Sequence, residues 1–305
     1  MKLQVRANEL AQAIESGRGS GLHDDYQPWI QVRRSNVSPR SNHSHWSFPE
    51  TGRLSHFLSG GERDVALLIR WAGASDVREQ FPLYGWEHPN PSDELHGAGT
   101  HAPHPGLERV AADAGIRLTP YPGTSIPIVL TIDMMVTVHR RQCGHEELVG
   151  VSCKPRRGGV GRHGLGVLER LELDRRYCKA AKIRHLLLHP EAFPRNLIAT
   201  LLWVSPEVTR ERYRQIRASE PYQQFLAMAR SDIYLLPAFR VIDEAARHLR
   251  VAPSVAAEML KIAIWSQDFD VDVDRRLSFS QPLSHGGRET RRRLADLLFG
   301  GVKGV

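Results

Sequence analysis

Cysteine is scarce: Cys143, Cys153 and Cys178 are the only three in 305 residues, and no two stand at C-x-x-C spacing. That argues against a disulfide framework and against a cysteine-based structural zinc site. Long apolar runs are also missing. Nothing approaches the roughly 18 to 20 consecutive apolar residues of a membrane span, and Met1-Lys2-Leu3-Gln4-Val5-Arg6 lacks the apolar stretch of a secretory signal. A cytoplasmic protein with no membrane association is expected. The five residues Pro155-Arg156-Arg157-Gly158-Gly159 themselves match neither phosphate-cradling glycine pattern, G-x-x-x-x-G-K-[ST] or G-x-G-x-x-G. Internal repeats are not apparent. With fifteen histidines and many serines, a Ser-His-Asp triad cannot be argued from spacing.

What the chain does have is enough apolar sequence, 41% hydrophobic against 25% charged, for a globular protein of about two domains. Its formal charge is +7. Residues 151–195 alone carry 11 Lys/Arg against 4 Asp/Glu, an excess as large as that of the whole chain. A positive field concentrated in one segment suits a polyanion such as DNA, although a merely solvated basic face has the same composition.

Four regions are expected: an arm over 1–50, a catalytic domain over 51–190, a helical domain over 191–285 and a basic tail over 286–305. The arm holds a short amphipathic segment at 8–16, then Gly/Ser/Asn/His-rich sequence with Arg33, Arg34 and Arg40. In the second region we expect a helix at 62–71, a strand at 76–83 and a short helix at 107–116, interrupted by a Pro/Gly/His-rich insertion at 88–106. His96, His101 and His104 fall in that insertion. An exposed loop is the expectation there rather than a zinc site, since no scaffold orders them. A helix over 168–182, with Leu168, Leu171 and Leu173 on its apolar side, leads to a buried strand at 185–188. Beyond about residue 190, helices are expected at 197–204, 206–217, 221–229, 238–249 and 254–264. A short hairpin running from 265–269 to 277–279 would complete a winged helix-turn-helix.

Two apolar stretches carry the chemistry. Thr131-Ile132-Asp133-Met134-Met135-Val136 reads as a strand interrupted by a carboxylate, which is costly to bury unless paired or metal-bound. Val149-Gly150-Val151-Ser152-Cys153-Lys154 reads as a second strand, and alternation puts Ser152 and Lys154 on one face. A carboxylate and a lysine brought to one point are what a metal-dependent phosphodiesterase needs. Asp133 would hold Mg2+, or Mn2+, and Lys154 would orient the attacking water or offset charge in the transition state. The carbonyl of Cys153 would be a further ligand. Glu62, after Ser59-Gly60-Gly61, reads equally as a third ligand and as the glutamate of a helix capping box. Arg156 and Arg157 suit a phosphate clamp.

Several blocks together resemble TnsA, the endonuclease subunit of heteromeric bacterial cut-and-paste transposons. They are Leu54-Ser55-His56-Phe57-Leu58-Ser59-Gly60-Gly61-Glu62, Val77-Arg78-Glu79-Gln80-Phe81-Pro82-Leu83, Thr131-Ile132-Asp133, Val151-Ser152-Cys153-Lys154-Pro155 and the leucine/glutamate helix from Leu168 to Tyr177. The resemblance covers most of residues 28–280. It implies an α/β fold of the restriction-endonuclease (PD-(D/E)xK) kind, a mixed sheet flanked by helices, followed by a mostly helical, winged-helix-like domain. It also implies that Glu62, Asp133 and Lys154 form the active site. Where the family pattern has glutamine, this chain has Ser152.

The function so implied is Mg2+-dependent hydrolysis at the 5′ ends of a transposon during cut-and-paste transposition. The partners would be double-stranded DNA at the transposon ends, a DDE transposase that joins the 3′ ends, and an AAA+ ATPase regulator. Two alternatives stand beside it: a self-sufficient restriction or repair endonuclease, and a catalytically silent DNA-binding adaptor.

Overall fold

The computed structural model describes residues 2–32, 44–97, 99–140, 145–156 and 164–300. Arg33, Arg34, Arg40, Cys143 and Arg157 lie outside them. The chain divides into two units. The first takes in residues 1–46, 55–66 and 74–192, and the second 47–54, 67–73 and 193–305.

The first unit is built on a four-stranded mixed sheet. Its strands are β3 (Asp76–Leu83), β4 (Leu130–Arg140), β5 (His145–Cys153) and β6 (Arg184–Leu188), in that spatial order; β1 (Ser44–Ser47) and β2 (Leu54–Phe57) form a separate two-stranded sheet. β3 and β5 run antiparallel to β4, while β6 runs parallel to β5. A parallel neighbour requires a crossover, and α5 (Gly164–Ala180) supplies it. Four more helices belong to the front of the chain: α1 (Lys2–Glu15), α2 (Gly60–Trp71), α3 (Asp93–His96) and α4 (Leu107–Ala114). Phe81, Leu83, Ile132 and Met135 from the sheet pack with Leu107 and Val110 of α4 and with Leu173, Tyr177 and Cys178 of α5. Burial of each large apolar side chain contributes roughly 1.5–3 kcal/mol. Gly150 lets α5 approach, because a Cβ there would lie 2.4 Å from the Cys178 sulfur.

Every residue of β3 is buried although the strand ends the sheet. The N-terminal segment covers it: Tyr26, Trp29 and Val32 are buried, the Tyr26 hydroxyl donates to Glu79 O and the Trp29 amide to Gln80 O. Covering an edge in this way removes a site for unwanted strand pairing.

Three expectations change here. The strand at 185–188 is half-exposed rather than buried, because β6 is the other end of the sheet. Leu168 is exposed, and the buried side of α5 begins at Leu173. The 88–106 insertion is not an exposed loop throughout. His104 is fully buried, its Nδ1 accepting from the Gly106 amide and its Nε2 donating to Tyr177 O, while Asp93 accepts from the amides of Gly99 and His101.

The second unit is helical: α6 (Arg195–Val204), α7 (Arg210–Ala218), α8 (Glu220–Asp232), α9 (Ala238–Leu249), α10 (Pro253–Trp265) and α11 (Gly287–Phe299). Side-chain caps start two of them, Thr209 for α7 and Ser219 for α8. α10 is apolar almost all round and buries Met259, Leu260, Ile262, Ala263 and Ile264 against its neighbours, as a central helix does. The expected hairpin does not form among the described residues. Between α10 and α11 there is one isolated bridge, Val271 to His285. The carbonyls of Phe279 and Gln281 instead accept from the amides of Phe239 and Ala238 at the start of α9, satisfying helix N-terminal donors that have no partner within the helix.

Candidate active site

Asp133 lies mid-way across the sheet, yet both neighbouring ladders skip it. β3 and β4 pair through Glu79–Met134 and Phe81–Ile132, passing over Gln80 and Asp133; the β4–β5 ladder ends at Met134–Val151, one step before Asp133 and Ser152. The carboxylate turns back on β5. Its Oδ2 accepts from the Cys153 amide at 2.7 Å and from Lys154 Nζ at 2.8 Å. No described residue donates to Oδ1. Burial works against the Lys154 charge, but the carboxylates of Asp133, Glu62 and Asp174 outweigh it and raise its pKa. Lys154 is therefore an ammonium at neutral pH. The path of β5 beyond it is fixed by the Lys154 amide donating to Leu188 O and by His189 Nδ1 donating to Lys154 O.

Glu62 enters from the first turn of α2. The Ser59 hydroxyl donates to Oε1, the Glu62 amide donates to Ser59 Oγ, and Oε2 accepts from the Leu58 amide at 3.0 Å. This is a reciprocal cap in which the carboxylate takes the amide of Leu58 rather than that of Ser59. The capping reading is thus observed, and Glu62 Oε2 still accepts from Gln80 Nε2 of β3 at 3.1 Å. Burial and the charge of Asp133 raise its pKa to about 7, while Lys154 acts the other way. Glu62, Asp133 and Lys154 are one electrostatic group, and Gly61 helps form it. A Cβ at Gly61 would lie 2.8 Å from Pro190 Cγ, so glycine admits the chain leaving β6 to the start of α2.

Ser152 does not join that group through its own side chain. Its hydroxyl is fully buried, donates to Asp174 Oδ2 at 2.8 Å and meets His185 Nε2 at 2.9 Å. Asp174 also accepts from Arg170 Nε at 3.0 Å. Burial raises the Asp174 carboxyl to about 6, and burial lowers His185 to about 4. At neutral pH the carboxylate is charged and the imidazole neutral, so His185 Nε2–H donates to Ser152.

Four residues at the centre went unnoticed in the sequence. They are Gln80, Asp174, His185 and Arg170. Gln80 links Thr131 to Glu62, its Oε1 accepting from the Thr131 hydroxyl at 2.9 Å and its Nε2 donating to Glu62 Oε2 at 3.1 Å. A guanidinium nitrogen of Arg170 donates to Thr131 O. The available signal was Arg78-Glu79-Gln80, three polar residues inside a strand, where burial demands partners.

Among the described residues no three His, Cys, Asp or Glu side chains converge as a metal site. The histidines at 96, 101 and 104 do not do so. His101 pairs with Asp93 at 2.7 Å, and both ring nitrogens of His104 are committed. Two carboxylates with a backbone carbonyl and solvent remain a donor set suited to a hard cation. The open Oδ1 of Asp133 and the mutual repulsion of two adjacent acids fit such a group.

The basic segment is less free than its composition implies. Arg175 and Arg176 pair with Glu172, and Arg170 turns inward to Asp174; Arg156 is exposed. No helix among the described residues is long and apolar enough to cross a membrane.

The fold and the site together define a mixed α/β protein whose sheet holds a buried carboxylate–lysine pair beside a helix-borne glutamate. No family model matches the sequence. It is 32% identical over 178 residues to the Transposon Tn7 transposition protein TnsA of Escherichia coli, an alignment covering 57% of this chain and 54% of that protein. The chain spans about half the length of the curated relative it matches. Over that stretch it is similar to TnsA, in line with the resemblance of the sequence blocks.

Proposed function

We propose that this protein is the DNA endonuclease subunit of a heteromeric transposase, cutting the 5′ ends of a transposon by metal-dependent hydrolysis. The observation that carries the reading is the Asp133–Lys154 contact at 2.8 Å beside Glu62. Glu62, Asp133 and the Cys153 carbonyl would hold Mg2+ or Mn2+, which when bound polarises the phosphate and lowers the pKa of a water molecule. Lys154, held protonated, offsets negative charge on the phosphate oxygens. Ser152 and Asp174 brace β5 against α5 and so fix the position of Lys154.

Arg156, with Arg33, Arg34 and Arg157, supplies backbone contacts to double-stranded DNA. The helical unit serves the protein partners, a DDE transposase and an AAA+ regulator. A groove of about 660 Å3 lined by Trp203, Leu277 and Phe279, with Trp203 partly exposed, supports that role. Such a complex would work on DNA in a bacterial cytoplasm.

The test is a strand-specific nicking assay on transposon-end DNA with Mg2+ and the companion transposase. Asp133→Ala is expected to abolish 5′-end nicking while the protein keeps its thermal transition. Normal nicking by that variant would remove the assignment.

A further inference from the structure

Gln80 sits in an uncommon place for its type. It is buried within a strand of the sheet, yet its φ is +50°, a left-handed conformation that only glycine, and less often asparagine or aspartate, adopts without cost. Such strain persists only where the surroundings hold it, and it gathers at functional sites. Here the surroundings are identifiable. The Trp29 amide donates to Gln80 O, and the ladder is broken at the step where Gln80 faces Asp133.

The side chain has one consistent hydrogen-bond assignment. The ionised Glu62 carboxylate, the form that would hold a cation, accepts only, so the amide must turn its NH2 toward it; the amide oxygen then faces Thr131, whose hydroxyl must donate. The observed contacts are 3.1 Å to Glu62 Oε2 and 2.9 Å from Thr131 Oγ1. Thr131 is held in turn by Arg170 at its carbonyl. Glu62 and Asp133 repel one another, and a chain free to relax would swing Glu62 away. The amide of Gln80, aimed by Thr131, is the only described side chain from the sheet that donates to Glu62.

From this geometry we propose that Gln80 is a positioning residue for the divalent cation. Its left-handed backbone carries the amide to Glu62, and the Thr131 hydroxyl fixes that amide, so that the Glu62 carboxylate stays directed at Asp133 before metal arrives. The proposal rests on the nuclease reading above. It adds that local stability has been given up at Gln80 to organise the site.

The test uses the full chain and Mn2+ as the probe, with affinity measured by calorimetry and thermal unfolding measured without metal. Gln80→Gly removes the amide but also relieves the left-handed backbone. Its unfolding midpoint should therefore stay near that of the parent protein while Mn2+ affinity falls roughly 10- to 100-fold, the usual loss for a group that orients a metal ligand. Thr131→Val should weaken Mn2+ binding in the same direction, and Thr131→Ser, which keeps the hydroxyl, should restore it. In nicking assays the Gln80→Gly defect should lie in the Mn2+ concentration required and be recovered at saturating metal. If Gln80→Gly binds Mn2+ like the parent while Asp133→Ala does not, the positioning role is wrong and the nuclease reading survives. If Asp133→Ala itself binds Mn2+ normally, the nuclease reading fails. Should Gln80→Gly not fold, unchanged Mn2+ affinity in Thr131→Val would still overturn the proposal.

Discussion

Ser152 donates to Asp174 across 2.8 Å, tying β5 to α5 where neither side chain reaches solvent to any extent. The contact decides what a larger residue would do. Ser152→Gln restores the residue type of the TnsA pattern, yet here it must fit a fully buried position already bounded by Asp174 and His185. We expect it to lower stability by about 1–3 kcal/mol through overpacking and to leave nicking no faster than in the parent protein. Denaturant unfolding and a nicking time course check both; faster nicking would show that Ser152 limits the reaction.

Ser152→Ala probes the same contact from the other side. Removing the hydroxyl leaves a buried carboxylate oxygen and an imidazole N–H short of a partner, at a cost of about 1–3 kcal/mol. The expected outcome is a lower unfolding midpoint with Mn2+ affinity nearly kept, because the Ser152 hydroxyl bonds to Asp174 and His185 rather than to Asp133 or Glu62.

Glu62 makes the metal-free chain less stable as pH rises. Burial and the charge of Asp133 raise Glu62 from 4.5 to about 7. Between those values the folded chain keeps a proton that the unfolded chain has released, so stability falls across that window and levels off above it. The gap corresponds to about 3 kcal/mol. Unfolding measured in a chelator at pH 5 and pH 7.5 should show the decline, and Glu62→Gln should reduce it. A decline in the parent protein no larger than that of Glu62→Gln would refute the coupling.

Activity should carry the same signature with opposite sign. A protonated Glu62 cannot serve as a ligand, so nicking is expected to fall as pH drops below about 7. Raising Mg2+ should move that limb to lower pH, because the cation competes with the proton. A limb that does not respond to metal concentration would dissociate it from Glu62.

Gly150 has a purely steric prediction. A methyl group there would meet the Cys178 sulfur at 2.4 Å and the Ile132 side chain at 3.0 Å. Gly150→Ala should cost about 1–3 kcal/mol, and combining it with Cys178→Ala should recover part of that loss, a non-additivity readable in a double-mutant cycle.

The sequence by itself determined the main elements. An apolar run interrupted by Asp133 marked β4, the run ending at Lys154 marked β5, and the 3.6-residue periodicity beyond residue 190 marked a helical second half; these signals are local, because side-chain alternation and helical periodicity are written into neighbouring positions. The resemblance to TnsA implied that Glu62 belongs beside them. What only the tertiary structure decided was partnership. Ser152 lies two residues before Lys154, at the end of β5, but its hydroxyl belongs to Asp174, 22 residues away on α5. Gln80 reads as one polar residue among three until Glu62 and Thr131 close around it. The 277–279 segment has the composition of a hairpin, yet its carbonyl at Phe279 serves the N-terminus of α9. Hydrogen bonds between distant residues leave no periodic trace in the chain, and a buried polar group announces that it needs a partner without saying which one.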